Sequence, residues 1–436
     1  MSLLFTLFNL LVLAGLSLAL KKQSWSGMLG RWFYPALLFK MLAGLLLGLL
    51  YQHHYGSGDT LTYFNGAQRL TAYFYENPAG YFRILFLNEF ETEALQASLP
   101  FARFAFFSNS FFLIKIVSLL NLLTGSSYYL ISLWFSLFSF WGAARLAATL
   151  AKYFPGTRAA AILAFLFFPS VVFWSSGLLK DSVMMGSMCW VVAFAIARVH
   201  GQPLRLPELL LVLPMLYLFV RIKLFLAAVL LPVLLVYYLL RKLSRSVAAL
   251  ADVKVQAGVL VIVVGIAGIA AWQLFDRLMP NYLVRQVVFA HNKLLEQSLH
   301  GPHITYSQLE PTLESILLNS PEAFFSAVYR PFIGEAWQPL YVAIGLENLV
   351  LLVLTALLLA SWLVRKQRLE LPLLYVGFVL YIAVAGVLIG LSTPNFGSLS
   401  RYRIAFLPFL VYLLLQSYYV QLFIRKVKAR LFQRSF

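Results

Sequence analysis

The chain has very little cysteine, little charge and even less acid. Cys189 is the single cysteine in 436 residues, which excludes a disulfide framework and a multi-cysteine metal site. Charged residues make up 11% of the sequence and hydrophobic ones 61%. A soluble globular chain of this size does not need that much apolar surface. No internal repeat, low-complexity linker or separate soluble domain is visible, so the chain reads as one integral membrane domain over 1–436. Its apolar runs are continuous and long enough to cross ~30 Å of hydrocarbon, as helices rather than alternating barrel strands. The expected fold is an all-α polytopic transmembrane bundle.

About eleven spans are expected, over 3–20, 32–51, 127–149, 157–177, 181–199, 206–220, 224–241, 255–275, 339–364, 371–392 and 403–424. Pro207 and Pro214 make 206–220 short, so it and 224–241 read as one broken unit around Arg221 and Lys223. The net charge of +18 flanks membrane segments, which speaks for topology and against a nucleic-acid partner. Basic, acid-poor connections carry Lys21, Lys22 and Arg31; Arg145, Lys152 and Arg158; Arg198 and Arg205; Arg241, Lys242, Arg245 and Lys254; Arg365, Lys366 and Arg368; and the tail "RKVKAR". By the positive-inside rule these face the cytoplasm. The N-terminal run meets its lysines only at Lys21-Lys22, so it reads as a span with its N-terminus outside and not as a cleaved leader.

This orientation puts most carboxylates outside: Asp59, Glu76, Glu89, Glu91, Glu93, Asp181, Asp276, Glu296, Glu310, Glu314, Glu322 and Glu335. Glu208, Asp252 and Glu370 fall near the inner face. Two long outward loops, 52–126 and 276–338, are expected to carry interfacial helices. In the first, Leu61, Phe64, Leu70 and Phe74 recur at helical spacing. In the second, "NSPEAF" reads as a helix start with Ser320 as N-cap and Pro321 first. Strong acids are absent from the expected span interiors, and Lys40 is the charge expected inside one.

Several outward residues carry candidate chemistry. Lys180, Arg221, Lys223, Arg401 and Arg403 suit a phosphate or pyrophosphate, because guanidinium forks and ammonium groups bind such oxygens. Asp59, after Ser57-Gly58, suits a general base or a ligand for a divalent cation. Asp181 is a second candidate catalytic acid. Tyr63, Arg330, Glu335 and Tyr402 are candidate supporting residues. Each has a plainer competitor. Asp59 could cap a helix, Lys180-Asp181 could be a helix start, Arg401 and Arg403 could be snorkelling anchors, and Arg330 could simply pair with Glu335. His53-His54 and His291/His303 lack a zinc-ligand spacing. Gly44 and Gly48 form a GxxxG suited to helix packing.

The stretches "GDTLTYFNGA", "RAAAILAFLFFPSVVFWSSGLLKDS" and "SRYRIAFLPFLVYLL" resemble motifs of the GT-C superfamily of membrane glycosyltransferases, and the second is also similar to turns in Wzy-like polymerases. The resemblance covers scattered short motifs in about half of the chain. It implies an enzyme of the bacterial inner membrane that transfers a sugar from a polyprenyl-phosphate carrier to a glycan or glycolipid acceptor on the outer face, among membrane lipids. It also implies that Asp59 is the catalytic or metal-linked acid (with Mg or Mn as the divalent cation) and that Arg401 and Arg403 bind the lipid phosphate. Asp59 stands alone where many members of the superfamily have two adjacent acids, and no large soluble C-terminal domain follows. A polymerase of undecaprenyl-pyrophosphate-linked repeat units, a lipid-linked glycan transporter and a non-catalytic synthase subunit are the alternatives. The basic-loop asymmetry predicts that a reporter fused after Phe436 is active only on the cytoplasmic side; periplasmic activity would reverse the topology.

Overall fold

A computed structural model describes residues 3–299, 301–365 and 372–433. The expected basic residues Lys366 and Arg368, and Glu370, lie outside them. The described residues are 81% helix with no strand; an isolated bridge joins His303 and Asn395. Among the described residues, eight helices are long and apolar enough to cross a membrane, or nine if one bent pair counts as a span. Several apolar helices of this length make a multi-pass membrane protein the natural reading.

Three of the eleven expected spans are not continuous helices of that length. In 157–177, the helical run from Arg158 ends at Phe167, Phe168 is extended, and a short helix restarts at Pro169. A residue before proline is driven out of the helical region, and the proline has no N–H to continue the ladder. The run 206–220 becomes Leu206–Ile222, seventeen residues, separated from Leu224–Leu243 by Lys223 alone. The last span breaks into Leu407–Leu414 and Tyr418–Val427, bent by 78°. Asn109–Thr124 is a sixteen-residue apolar helix inside the segment expected to be an outer loop.

The chain divides into two compact units. One comprises Met1–Lys152, Val172–Phe194 and Leu204–Ala227; the other comprises Tyr153–Val171, Ala195–Pro203 and Ala228–Phe436.

In the first unit, small side chains let helix backbones approach. A Cβ on Gly142 would stand 1.9 Å from the Gly186 carbonyl oxygen, and one on Gly44 would stand 2.2 Å from Ser136 Oγ. Between apolar surfaces in lipid, close packing and interhelical hydrogen bonds supply the attraction. Trp134 Nε1 donates to Asn9 Oδ1 at 2.8 Å, and Asn9 Nδ2 donates to the Leu123 carbonyl at 3.0 Å. Lys40 is buried; its amine donates to Ser175 Oγ. The Asp59–Glu76 helix buries Thr60, Tyr63, Phe64, Ala67, Leu70 and Thr71, a stripe at the helical period, and packs on Asn109–Thr124. Of the apolar residues whose spacing marks this helix in the sequence, Phe64 and Leu70 belong to the buried stripe.

In the second unit, Leu313–Tyr329 packs on Leu373–Ser392, where a Cβ on Gly390 would meet the Ala323 carbonyl oxygen at 2.1 Å. This helix corrects the expected start at Ser320-Pro321. Thr312 caps it, accepting from Ser315 N at 3.2 Å, and Pro321 lies inside. Ser320 does not cap: its Oγ donates back to the Ile316 carbonyl at 2.6 Å within the helix, and Pro321 costs the helix a backbone hydrogen bond without ending it.

Gly142→Ala is expected to lower the thermal stability of the detergent-solubilised chain by roughly 1–3 kcal/mol, since the added methyl has no room beside a backbone carbonyl. An unchanged melting temperature would contradict that contact.

Candidate functional site

The first unit gathers most of the candidate cations around one turn. After Trp174 the chain runs through Ser175 and Ser176 to Gly177, whose φ of +68° is a left-handed conformation that glycine adopts without a Cβ penalty. The turn is fixed from both sides: Gly177 N donates to Ser136 Oγ at 3.0 Å, and Ser182 Oγ donates to the Gly177 carbonyl at 2.8 Å. The next helix starts at Lys180, which gives the Lys180-Asp181 pair a role in a helix start.

The two side chains then take different partners. Asp181 is fully buried in the first helical turn, where the positive end of the helix favours a carboxylate. Lys223 Nζ lies 3.1 Å from Asp181 Oδ1, brought there by the one-residue break between two helices. Lys180 Nζ donates to Asn109 Oδ1 at 3.0 Å and to Ser110 Oγ at 2.8 Å, and lies 5.3 Å from the centre of the Tyr63 ring. Asn109 Nδ2 in turn donates to the Ile222 carbonyl at 3.1 Å. Arg221 donates to the Phe106 carbonyl at 2.8 Å and lies over the Phe112 ring at 5.1 Å. Phe107, Asn109, Arg221, Lys223 and Phe225 line a cavity of about 360 Å³.

Asp59 is half-buried at the start of its helix. It is not the N-cap: Gly58 holds that position with φ +125° and no side-chain bond. Asp59 and Tyr63 are one turn apart on the same helix face, about 6 Å along the axis. Among the described residues, no three His, Cys, Asp or Glu side chains stand together as a metal site. A divalent cation at Asp59 would therefore need substrate oxygens and water for its remaining ligands.

In the second unit Arg401 and Arg403 are both buried. Arg403 is fully buried. Its guanidinium reaches Glu347 Oε1 at 3.3 Å, Asn348 Oδ1 at 2.7 Å and the Val328 carbonyl at 3.2 Å. Glu347 Oε2 also accepts from Ser170 N at 2.8 Å. Arg403 is thus a committed structural ion, not a snorkelling anchor and not an open phosphate binder. Arg401 is also buried, with its guanidinium 5.7 Å from the Tyr402 ring. Arg330 pairs with Glu335 at 2.6 Å, as the plainer reading had it.

Sequence reasoning missed three residues. Asn109 and Ser110 carry no motif; only the fold sets them against Lys180. Glu347 did have a signal, as a carboxylate inside the apolar run "VAIGLENLVLLVL", and it corrects the expectation that span interiors hold no strong acid and that Lys40 is their one charge. No family model, curated protein or solved structure matches the chain.

Glu347→Gln strands the Arg403 charge and is expected to cost about 3–5 kcal/mol of stability. The double variant Glu347→Leu/Arg403→Met should recover most of it, read as detergent-resistant folded fraction against temperature. A double variant as unstable as the single would show that the pair itself, and not its neutralisation, holds the site.

Proposed function

We propose that the chain is an integral membrane glycosyltransferase of the bacterial inner membrane, working on a polyprenyl-phosphate-linked sugar at the outer face in cell-surface polysaccharide or glycolipid assembly. The observation that supports it is the cavity of about 360 Å³ lined by Arg221, Lys223 and Asn109, with Lys223 paired to buried Asp181 and Lys180 held by the same Asn109. Cations held before substrate arrives stabilise the charge of a departing phosphate without reorganisation.

The step balances as a substitution at the anomeric carbon. The acceptor hydroxyl oxygen forms the new C–O bond, the sugar–phosphate C–O bond breaks, and its electron pair leaves on the polyprenyl phosphate. The hydroxyl proton passes to Asp59 as general base. Lys223 and Arg221 take the phosphate oxygens, and Lys180 is held in position by Asn109 and Ser110. Asp181 is a positioning residue in this scheme, because it is fully buried against Lys223. Arg403 has no part in it. A divalent cation, if bound, would be held by Asp59 and would stabilise negative charge on the departing phosphate.

Asp59→Asn is expected to lower transfer by ~10²–10⁴-fold with membrane insertion unchanged, because Gly58 holds the cap position. Lys223→Met is expected to lower it as well. The readout is the set of lipid-linked oligosaccharides that accumulate in cells carrying each variant. A carrier with a shortened glycan supports the transferase. Complete, unpolymerised repeat units would indicate the polymerase. Full polysaccharide output from both variants at limiting enzyme would remove the proposed site.

A further inference from the structure

The loop between Tyr329 and Pro339, in the second unit, exposes a large aromatic side chain from a backbone that is tightly held. Arg330 Nε donates to Glu335 Oε1 at 2.8 Å, and Phe332 N donates to Glu335 Oε2 at 2.8 Å. Asn348 Nδ2 donates to the Pro331 carbonyl at 2.8 Å. The backbone at Ile333 lies so close to Gly345 that a Cβ there would come within 3.0 Å of Ile333 N. The Arg330 guanidinium lies 5.3 Å from the centre of the Phe396 ring. On this fixed loop Trp337 is 79% exposed. It stands with Pro302, Glu335, Ala336 and Gln338 around an open depression of about 460 Å³.

We infer that this depression is a carbohydrate-binding platform, with Trp337 as its stacking surface and Glu335 and Gln338 as its polar contacts. A sugar ring has one face of C–H groups and a rim of hydroxyls. The C–H face lies well on an indole, whose π-face is negative, and the hydroxyls need donors and acceptors at fixed places. Glu335 retains acceptor capacity beyond its two intramolecular partners, and the Gln338 amide can both donate and accept. A tryptophan that only marked a membrane interface would need neither an oriented carboxylate nor a cavity beside it. Ligand sites combine an apolar wall with a few placed polar groups, and this loop does so with little left to order on binding.

The identity of the glycan as an acceptor held for transfer rests on the transferase reading above; the binding does not. The test uses the full chain in phosphatidylcholine nanodiscs with maltohexaose, cellohexaose and chitohexaose as probes, and measures binding by calorimetry without turnover. At least one probe is expected to bind. Trp337→Ala should weaken it about tenfold or more, and Trp337→Phe should hold it within about threefold, because a ring still stacks. Gln338→Ala should weaken it too. Trp337 is exposed, so these variants are expected to insert and fold as the parent does, checked by membrane yield and elution volume. Failure of all three probes to bind, or binding that Trp337→Ala leaves intact, would overturn the inference. So would Trp337 fluorescence that is quenched by brominated lipid and indifferent to sugar. If Asp59→Asn keeps full polysaccharide output while the platform still binds, the transferase reading fails and the platform stands. Asp59-dependent transfer with no Trp337-dependent binding gives the reverse.

Discussion

The cost of removing an ion from water organises this protein more than any other single constraint. With so few charges in so apolar a chain, each one that leaves water must find a polar contact inside the fold. Asp181 is fully buried and finds Lys223. Arg403 is fully buried and finds Glu347, Asn348 and a backbone carbonyl. Lys40 finds Ser175. Arg145 meets Glu208 at 2.8 Å and lies 4.3 Å from the Trp190 ring. In each case a charged side chain ties together segments distant in sequence. The transferase reading uses the first of these places, where Lys223 keeps some exposure.

Backbone breaks supply the geometry for those contacts. Lys223, in the one-residue gap between Leu206–Ile222 and Leu224–Leu243, reaches Asp181. The left-handed Gly177 ends one polar turn and sets Lys180 at the head of the next helix. Gly58 does the same for Asp59. A helix satisfies its own backbone in an apolar setting, so each interruption must be closed by other partners. Ser136 and Ser182 close the one at Gly177.

The same logic separates the two kinds of candidate residue. Arg403 and Glu347 neutralise each other in a dry interior, which suits a fixed structural element. Lys223 keeps some exposure while paired, and Arg221 borders the same cavity. Charges that are oriented yet reachable are the ones that can act on a ligand. Trp337 belongs to the reachable class on different grounds, as a rigid apolar face beside placed polar groups.

The helical class was legible in the sequence because continuous apolar runs allow little else in a bilayer. So were eight of the expected spans, as helices long and apolar enough to cross a membrane, and the suitability of "WSSGLLKDS" for a turn. Hydropathy is a sum over a window, and such sums survive ignorance of neighbours. The break around Lys223 was legible too, from the short, proline-bearing run before it. The interruptions at Pro169 and at Leu415–Ser417 were not: their windows are apolar enough, but the breaks act on single backbone positions that a window averages away. Helix starts failed where a rival cap existed upstream, as Thr312 did for Pro321. Composition and spacing marked Lys180, Asp181, Arg221 and Lys223 as candidates. They could not say that Asn109 and Ser110 would hold Lys180, or that Arg403 would be spoken for by Glu347. Which charge meets which partner depends on distances between helices far apart in the chain, and only the tertiary structure decides those.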